Sequence, residues 1–154
     1  MTTVVTNAVR PEREAPEDLR QVVGERRLIE LALEASHFVG EGLPRPVSLR
    51  VDQPSPGLLL TLLTYCYAAG VYGSDDIERA CESDASARYI CAGARPDRDG
   101  LRAFRRANRP WIESCLAWVY GRACPEARSQ HAIAALVRQK LELAVITDTA
   151  VADC

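Results

Sequence analysis

Residues 56–67 read Pro-Gly-Leu-Leu-Leu-Thr-Leu-Leu-Thr-Tyr-Cys-Tyr, and this apolar stretch sets the centre of the fold. Ser55 and Pro56 predict a helix start, because a serine hydroxyl caps free backbone N–H groups and proline is tolerated at the first helical position. Gly70 ends the run after Ala69. Because apolar side chains cover nearly all sides of this helix, we expect it to lie in the middle of the molecule.

Length and composition are those of a single soluble domain. The chain has 154 residues, of which 47% are hydrophobic and 26% charged, with a net charge of −2. The run from Leu58 to Ala69 is shorter than the roughly 20 apolar residues that cross a bilayer. The first ten residues lack the basic-then-apolar order of a secretory signal. We therefore expect no membrane contact and a cytoplasmic location.

Helical patterns lie on both sides of the central stretch. Residues 19–39 carry an apolar stripe that ends at Gly40, while Pro44 and Pro46 predict an extended connector or one short strand over residues 43–53. Ser74 is expected to cap a short helix whose first turn holds Asp75 and Asp76.

Further helices follow toward the C-terminus. Asp84 begins another short helix, Asp97 caps an arginine-rich one, and Arg109-Pro110 predicts a helix boundary, because proline disfavours helix in the residue before it. The next helix carries Trp111 and stops near Gly121. The last runs from Ser129 to about Ile146.

These patterns predict an all-α fold, a compact bundle of six or seven helices with a helix-turn-helix-like cluster and an extended, proline-containing connector. We expect residues 1–18 to be a poorly ordered N-terminal segment, residues 19–147 to form one helical domain, and residues 148–154 to be a tail.

The arginine-rich helix is the strongest candidate for a functional surface. Residues 95–109 hold six arginines against Asp97 and Asp99, a local charge of +4 in a chain of net −2. On a helical wheel most of these arginines share one face, while Leu101 and Phe104 point toward the core. Such asymmetry is typical of a surface that binds polyanions, and arginine favours bidentate contacts to phosphate.

Three interpretations of this face remain open on charge pattern alone. It is a solvated surface paired internally with acidic residues, a nucleic-acid contact, or a contact for an acidic protein. The acidic residues close in sequence are Asp75, Asp76, Glu78, Glu82 and Asp84.

Other candidate chemistries are weaker. The six cysteines include no Cys-x-x-Cys pair, and most lie among apolar residues, which is typical of buried free thiols. His37 and His131 lack zinc-ligand spacing, so we expect no metal or cofactor, although a Cys/His nucleophilic pair formed in the fold stays open. The aromatic residues fit core positions better than base-stacking ones.

A set of short motifs resembles a known family. In chain order these are Pro56-x-x-Leu59, Tyr65-x-Tyr67-x-x-Gly70, Ser74-x-x-Ile77-Glu78-Arg79-Ala80-Cys81, Pro96-Asp97 and Phe104-Arg105-Arg106. Together they are similar to the N-terminal helical domain of bacterial insertion-sequence transposases of the DDE type, over residues 54–120. In that family the domain contributes to DNA binding and precedes an RNase H-like catalytic domain.

The resemblance implies contact with double-stranded DNA through Arg95, Arg98, Arg102, Arg105, Arg106 and Arg109. Two departures qualify it. Gly73-Ser74-Asp75 stands where the family often has Ser-Ser-Arg, and the chain ends at Cys154 without room for the catalytic domain. We therefore expect no enzyme activity and no catalytic residues.

The function expected from the sequence is that of a non-catalytic, transposase-derived DNA-binding module belonging to a mobile element. The alternatives are an interaction or oligomerisation module, a decayed transposase fragment, and a small Cys/His enzyme. The interaction module would use the apolar faces of the first and last helices to form a homo-oligomer or to regulate a full-length transposase.

Overall fold

The computed structural model describes residues 18–41, 54–124 and 129–152. Within these ranges the chain forms eight α-helices and no strand, which confirms the all-α prediction. The helices are α1 (Arg20–Val23), α2 (Glu25–Glu41), α3 (Pro56–Ala68), α4 (Ser74–Ser83), α5 (Ala85–Cys91), α6 (Arg98–Ala107), α7 (Arg109–Ala123) and α8 (Gln130–Ala152). The predicted connector over residues 43–53 lies outside the described residues, as does nearly all of the predicted N-terminal segment.

Helix α3 is the central element, as its apolar sequence predicts. Every residue from Leu59 to Ala68 is buried, and α3 packs against α2, α5, α7 and α8. The Ser55 hydroxyl accepts a hydrogen bond from the Leu58 N–H at 3.3 Å, which confirms the predicted cap.

The first predicted helix is divided in two. Gly24 has φ of +90°, a left-handed conformation that glycine adopts without strain, and it separates α1 from α2. Helix α2 then packs along α3 and α7. The apolar stripe of residues 19–39 is real, because Leu28, Leu31 and Ala35 are all buried, but the backbone is not continuous helix.

Of the two caps predicted in the middle of the chain, the one at Asp97 is confirmed, and the helix expected to begin at Asp84 does follow that residue directly. The Asp84 carboxylate accepts from the Ala87 N–H at 2.9 Å, and the Asp97 carboxylate accepts from the Gly100 N–H at 2.7 Å. The prediction for Ser74 was wrong. Helix α4 already begins at Ser74, and the serine hydroxyl donates instead to a carboxylate of α8.

The boundary between α6 and α7 lies where Arg109-Pro110 predicts it, with α6 ending at Ala107 and α7 beginning at Arg109. The last helix is longer than expected. Helix α8 continues past Ile146 to Ala152, so Asp148, which we placed in a tail, is a buried helical residue.

Candidate functional site: the arginine helix and its surroundings

Four of the six predicted arginines lie on α6 and two lie beside it, and their side chains differ strongly in exposure. Arg95 and Arg98 keep 69% and 56% of their side chains exposed, and Arg106 is also exposed. Arg102 is largely covered, and Arg105 is 4% exposed. The helix therefore turns one arginine into the bundle and presents the others at or near its surface.

Arg105 forms an ion pair with Asp148 of α8 inside the protein. Ser74 also binds the Asp148 carboxylate. Its backbone N–H and its hydroxyl each donate a hydrogen bond to Asp148 at 2.8 Å. Burial opposes ionisation of Asp148, but the hydrogen bonds from Arg105 and Ser74 outweigh it and hold its pKa below the ordinary value. This cluster joins α4, α6 and α8.

Asp75 and Asp99 form ion pairs with the two arginines Arg98 and Arg102 of α6. Arg98 Nη1 lies 3.4 Å from Asp75 Oδ1, and Arg102 Nη2 lies 3.7 Å from the same oxygen. Arg102 also pairs with Asp99 at 2.9 Å, while its Nε lies 3.8 Å from Asp148 Oδ2. The first turn of α4 therefore places a carboxylate directly against the arginine face.

The arginines that flank α6 are paired as well. Arg95 bonds to Glu82 of α4 at 2.9 Å. Arg109 donates to Glu113 at 3.0 Å and to Glu142 of α8 at 3.3 Å. The bond to Glu113 is the main cause that raises the pKa of Arg109 above its ordinary value.

Internal pairing, one of the three interpretations left open by the sequence, is therefore present in the structure. Five additional carboxylates, from Asp75, Glu82, Glu113, Glu142 and Asp148, bring the formal charge around residues 95–109 from +4 to −1. Among the described residues, Arg106 has no carboxylate within ion-pair distance. The acidic residues close in sequence supply only part of this pairing, because three of the five partners lie on α7 and α8.

The aromatic residues occupy mixed positions. Tyr65, Tyr67 and Tyr72 are buried, as expected for core residues. Trp118 is half-buried, with the Phe38 ring stacked at 6.0 Å and the Arg122 guanidinium 3.9 Å from its ring centroid. The Trp118 ring is therefore already in contact with Phe38 and Arg122.

Two cysteines lie together, which no local motif in the sequence indicates. Cys81 of α4 and Cys91 of α5 bring their sulfur atoms to 3.2 Å, and both are buried. Within the described ranges, no three His, Cys, Asp or Glu side chains are placed to hold a metal ion. His37 contacts the ring of Phe38, and His131 is exposed.

Helix α8 carries two apolar rows. The first faces the bundle and includes the buried residues Ile133, Val137, Leu141 and Ala144. The second row, centred about 130° around the helix from the first, is formed by four apolar residues with one glutamine in the middle: Ala132, Leu136, Gln139, Leu143 and Ile146.

This second apolar row is only partly covered. Leu136 and Leu143 touch the edge of the core, whereas Gln139 is exposed and Ile146 is 59% exposed. This row was not predicted, because the apolar residues from Ser129 to about Ile146 were interpreted only as evidence for a helix and were not divided between two faces.

In the part of the chain that the structure describes, no helix combines the length and apolarity needed to cross a membrane. The resemblance to transposase N-terminal domains rests on the motifs quoted above. Comparisons of the chain with protein-family models, with curated proteins and with solved structures find no match.

Proposed function

We propose that the protein is a non-catalytic helical interaction module that forms a homodimer through the second apolar row of α8. The observation that carries this proposal is the spacing of the row. Its members follow one another at alternating steps of four and three residues from Ala132 to Ile146. This alternation is the repeat that lets one helix pack along another at about 20°.

A second copy of the chain carries the same row with the same spacing, which a partner without regular helical spacing does not. The row extends about 21 Å along the helix axis, at about 1.5 Å per residue. A two-fold axis would place the row of one copy against the same row of another, so each apolar residue meets an apolar or amide side chain. Gln139 would then meet the row of the partner copy, where a polar residue restricts the register.

The charges beside the row are compatible with self-association. Glu142 is the one acidic residue of α8 between Leu136 and Ile146, and it is paired with Arg109. Lys140 lies on the bundle side and is buried, donating to the Tyr72 hydroxyl at 2.7 Å. Two copies therefore bring no unpaired like charges together along the row.

The test is light scattering coupled to size exclusion at several protein concentrations. We expect the wild-type chain to elute as a dimer, and Ile146→Glu to elute as a monomer, because a carboxylate in the row would be desolvated on pairing. Arg138→Glu is the matched control, since it places an acidic residue at an exposed site of the same helix outside the row.

The control should stay dimeric, and far-UV circular dichroism should show the same helix content for all three proteins. A wild-type chain that is monomeric at every concentration, or an Ile146→Glu variant that dimerises like wild type, contradicts the proposal.

DNA binding is a second candidate, supported by the exposed cations Arg95, Arg98 and Arg106. Exposed ion pairs are worth only about 0–1 kcal/mol, so Arg95 can exchange Glu82 for phosphate at little cost, and Arg98 can do so while Asp75 keeps its contact with Arg102. Arg106 needs no exchange. Buried Arg105 is a poor candidate for phosphate contact. In a helix-turn-helix-like arrangement α6 would be the helix nearest the duplex.

A gel-shift series on random and transposon-end duplexes across salt concentrations tests this candidate. Arg98→Ala with Arg106→Ala should weaken binding and flatten its salt dependence, because fewer phosphate contacts release fewer counterions. Arg26→Ala with Arg138→Ala is the control, since it removes the same charge from exposed sites on α2 and α8. Equal losses in both double variants, or no binding at low salt, exclude a DNA site on α6.

A further inference from the structure

Cys81 and Cys91 form a close thiol pair on two different helices. Cys81 lies near the end of α4 and Cys91 is the last residue of α5, and the loop between them turns at Asp84. Their sulfur atoms are 3.2 Å apart, so they need to approach by about 1.2 Å to reach the bond length of a disulfide. Both residues line one surface cavity of about 560 Å³.

The two thiols are not equivalent. In the arrangement that we favour, the Cys81 S–H donates to the Cys91 sulfur, and this hydrogen bond lowers the pKa of Cys91. The same bond, together with burial, raises the pKa of Cys81. A pair of this kind has one sulfur that is the better nucleophile and one that resolves the first product.

We infer that Cys81 and Cys91 are a redox-active dithiol that forms a reversible disulfide by exchange with a small-molecule disulfide. This inference is independent of the proposed dimer, because neither residue lies on α8.

The exchange proceeds in two steps. The Cys91 thiolate attacks one sulfur of the small disulfide, forms a mixed disulfide, and expels one thiolate. Cys81 then loses its proton to that thiolate and attacks the Cys91 sulfur, which forms the Cys81–Cys91 bond and expels the second thiolate. The second thiolate takes up from solvent the proton that Cys91 released on ionising. Two protein thiols are thus oxidised, one small disulfide is reduced to two thiols, and both protons end on those thiols.

The cavity favours a reagent that carries carboxylates. Arg88 and Arg95 line it together with Glu82, and Glu82 is already paired with Arg95. Arg88 is exposed and adds a further positive charge at the wall of the cavity. A tripeptide disulfide such as oxidised glutathione combines the reacting bond with carboxylates that these arginines can bind.

The experiment incubates the folded full chain with oxidised glutathione and then blocks the remaining thiols for mass spectrometry. We expect the wild-type chain to lose two free thiols and the mass of two hydrogen atoms, and peptide mapping to show a Cys81–Cys91 link. The link closes a short loop, so the midpoint of thermal unfolding should rise by about 5–10 °C. An added reducing thiol should reverse both changes.

Three variants separate this chemistry from general oxidation. Cys81→Ser should trap glutathione on Cys91, Cys91→Ser should leave Cys81 reduced, and Cys124→Ser should form the Cys81–Cys91 link like wild type. The wild-type measurements do not depend on whether a variant folds. Retention of all thiols in the folded wild-type chain, or a link that joins other cysteines, overturns the inference.

Discussion

Arg105 and Asp148 form a buried ion pair that joins α6 to the last helix, with 5% and 6% of their side chains exposed. A charge that is buried without its partner is costly, whereas the same charge at the surface is not. This pair therefore gives α6 a structural role that its arginine-rich sequence does not reveal.

Loss of either member of this pair should destabilise the protein strongly. We expect Asp148→Ala to lower the free energy of unfolding by about 3–5 kcal/mol, because it leaves Arg105 buried and unpaired. Arg105→Ala should cost a comparable amount. Denaturant titration measures both, and Arg106→Ala, an exposed change on the same helix, should stay within about 0.5 kcal/mol of wild type.

A double-mutant cycle completes that measurement. The Arg105→Ala, Asp148→Ala double variant should be less destabilised than the sum of the two single variants, by more than about 1 kcal/mol. Additive effects, or an Arg105→Ala cost no larger than that of Arg106→Ala, would contradict a buried pair.

Asp148 should also make stability depend on pH in the acid range. Its pKa is lowered in the folded state, so its contribution is fully present above the unfolded pKa near 3.9 and is lost as pH falls through the lower folded pKa. Unfolding free energies measured from pH 7 down to acid should therefore fall more steeply for wild type than for Asp148→Asn.

Ser74→Ala provides a graded control for the pH series. It removes one donor to Asp148 and keeps the backbone N–H and Arg105, so its acid dependence should lie between those of wild type and Asp148→Asn. Identical curves for wild type and Asp148→Asn would rule out Asp148 as the source.

Replacement by alanine should raise the free energy of unfolding at Gly121 and lower it at Gly73. Gly121 lies inside α7 with open space where a Cβ would be, so Gly121→Ala should stabilise the protein by about 0.5–1 kcal/mol. At Gly73 a Cβ would lie 2.9 Å from Asp76 Oδ2 and 3.1 Å from Thr147 Cγ2. The flexible Asp76 side chain can move away, but Thr147 belongs to α8.

Gly73→Ala should therefore destabilise the protein by about 1–3 kcal/mol, because the added methyl group would clash with Thr147 of α8. Thermal melts of the two alanine variants, compared with wild type, measure the difference. A stabilised Gly73→Ala variant would show that α8 shifts to accept the methyl group.

Local features of the fold were predictable from the sequence. The caps at Ser55 and Asp97 and the helix start at Asp84 are confirmed, because each of the bonds involved joins residues only three positions apart. The central position of α3 is also confirmed, since a helix that is apolar on nearly all sides has to be surrounded.

The errors concern residues whose partners are distant in sequence. Ser74 has the residue type and position of a cap, yet its hydroxyl bonds to Asp148, 74 residues away. Asp148 was placed in a tail because the apolar pattern of the last helix was followed only to about Ile146. Neither residue can be identified as the partner of the other before the packing of α4 against α8 is known.

The residue order alone was enough to establish an all-helical chain, most helix boundaries and the concentration of arginines near α6, because periodicity and capping act over a few residues. Packing assigned those arginines their carboxylates, brought the Cys81 and Cys91 sulfurs together and left the second row of α8 partly uncovered. These outcomes depend on which helices become neighbours, and a buried charge or thiol takes its chemistry from neighbours far away in sequence.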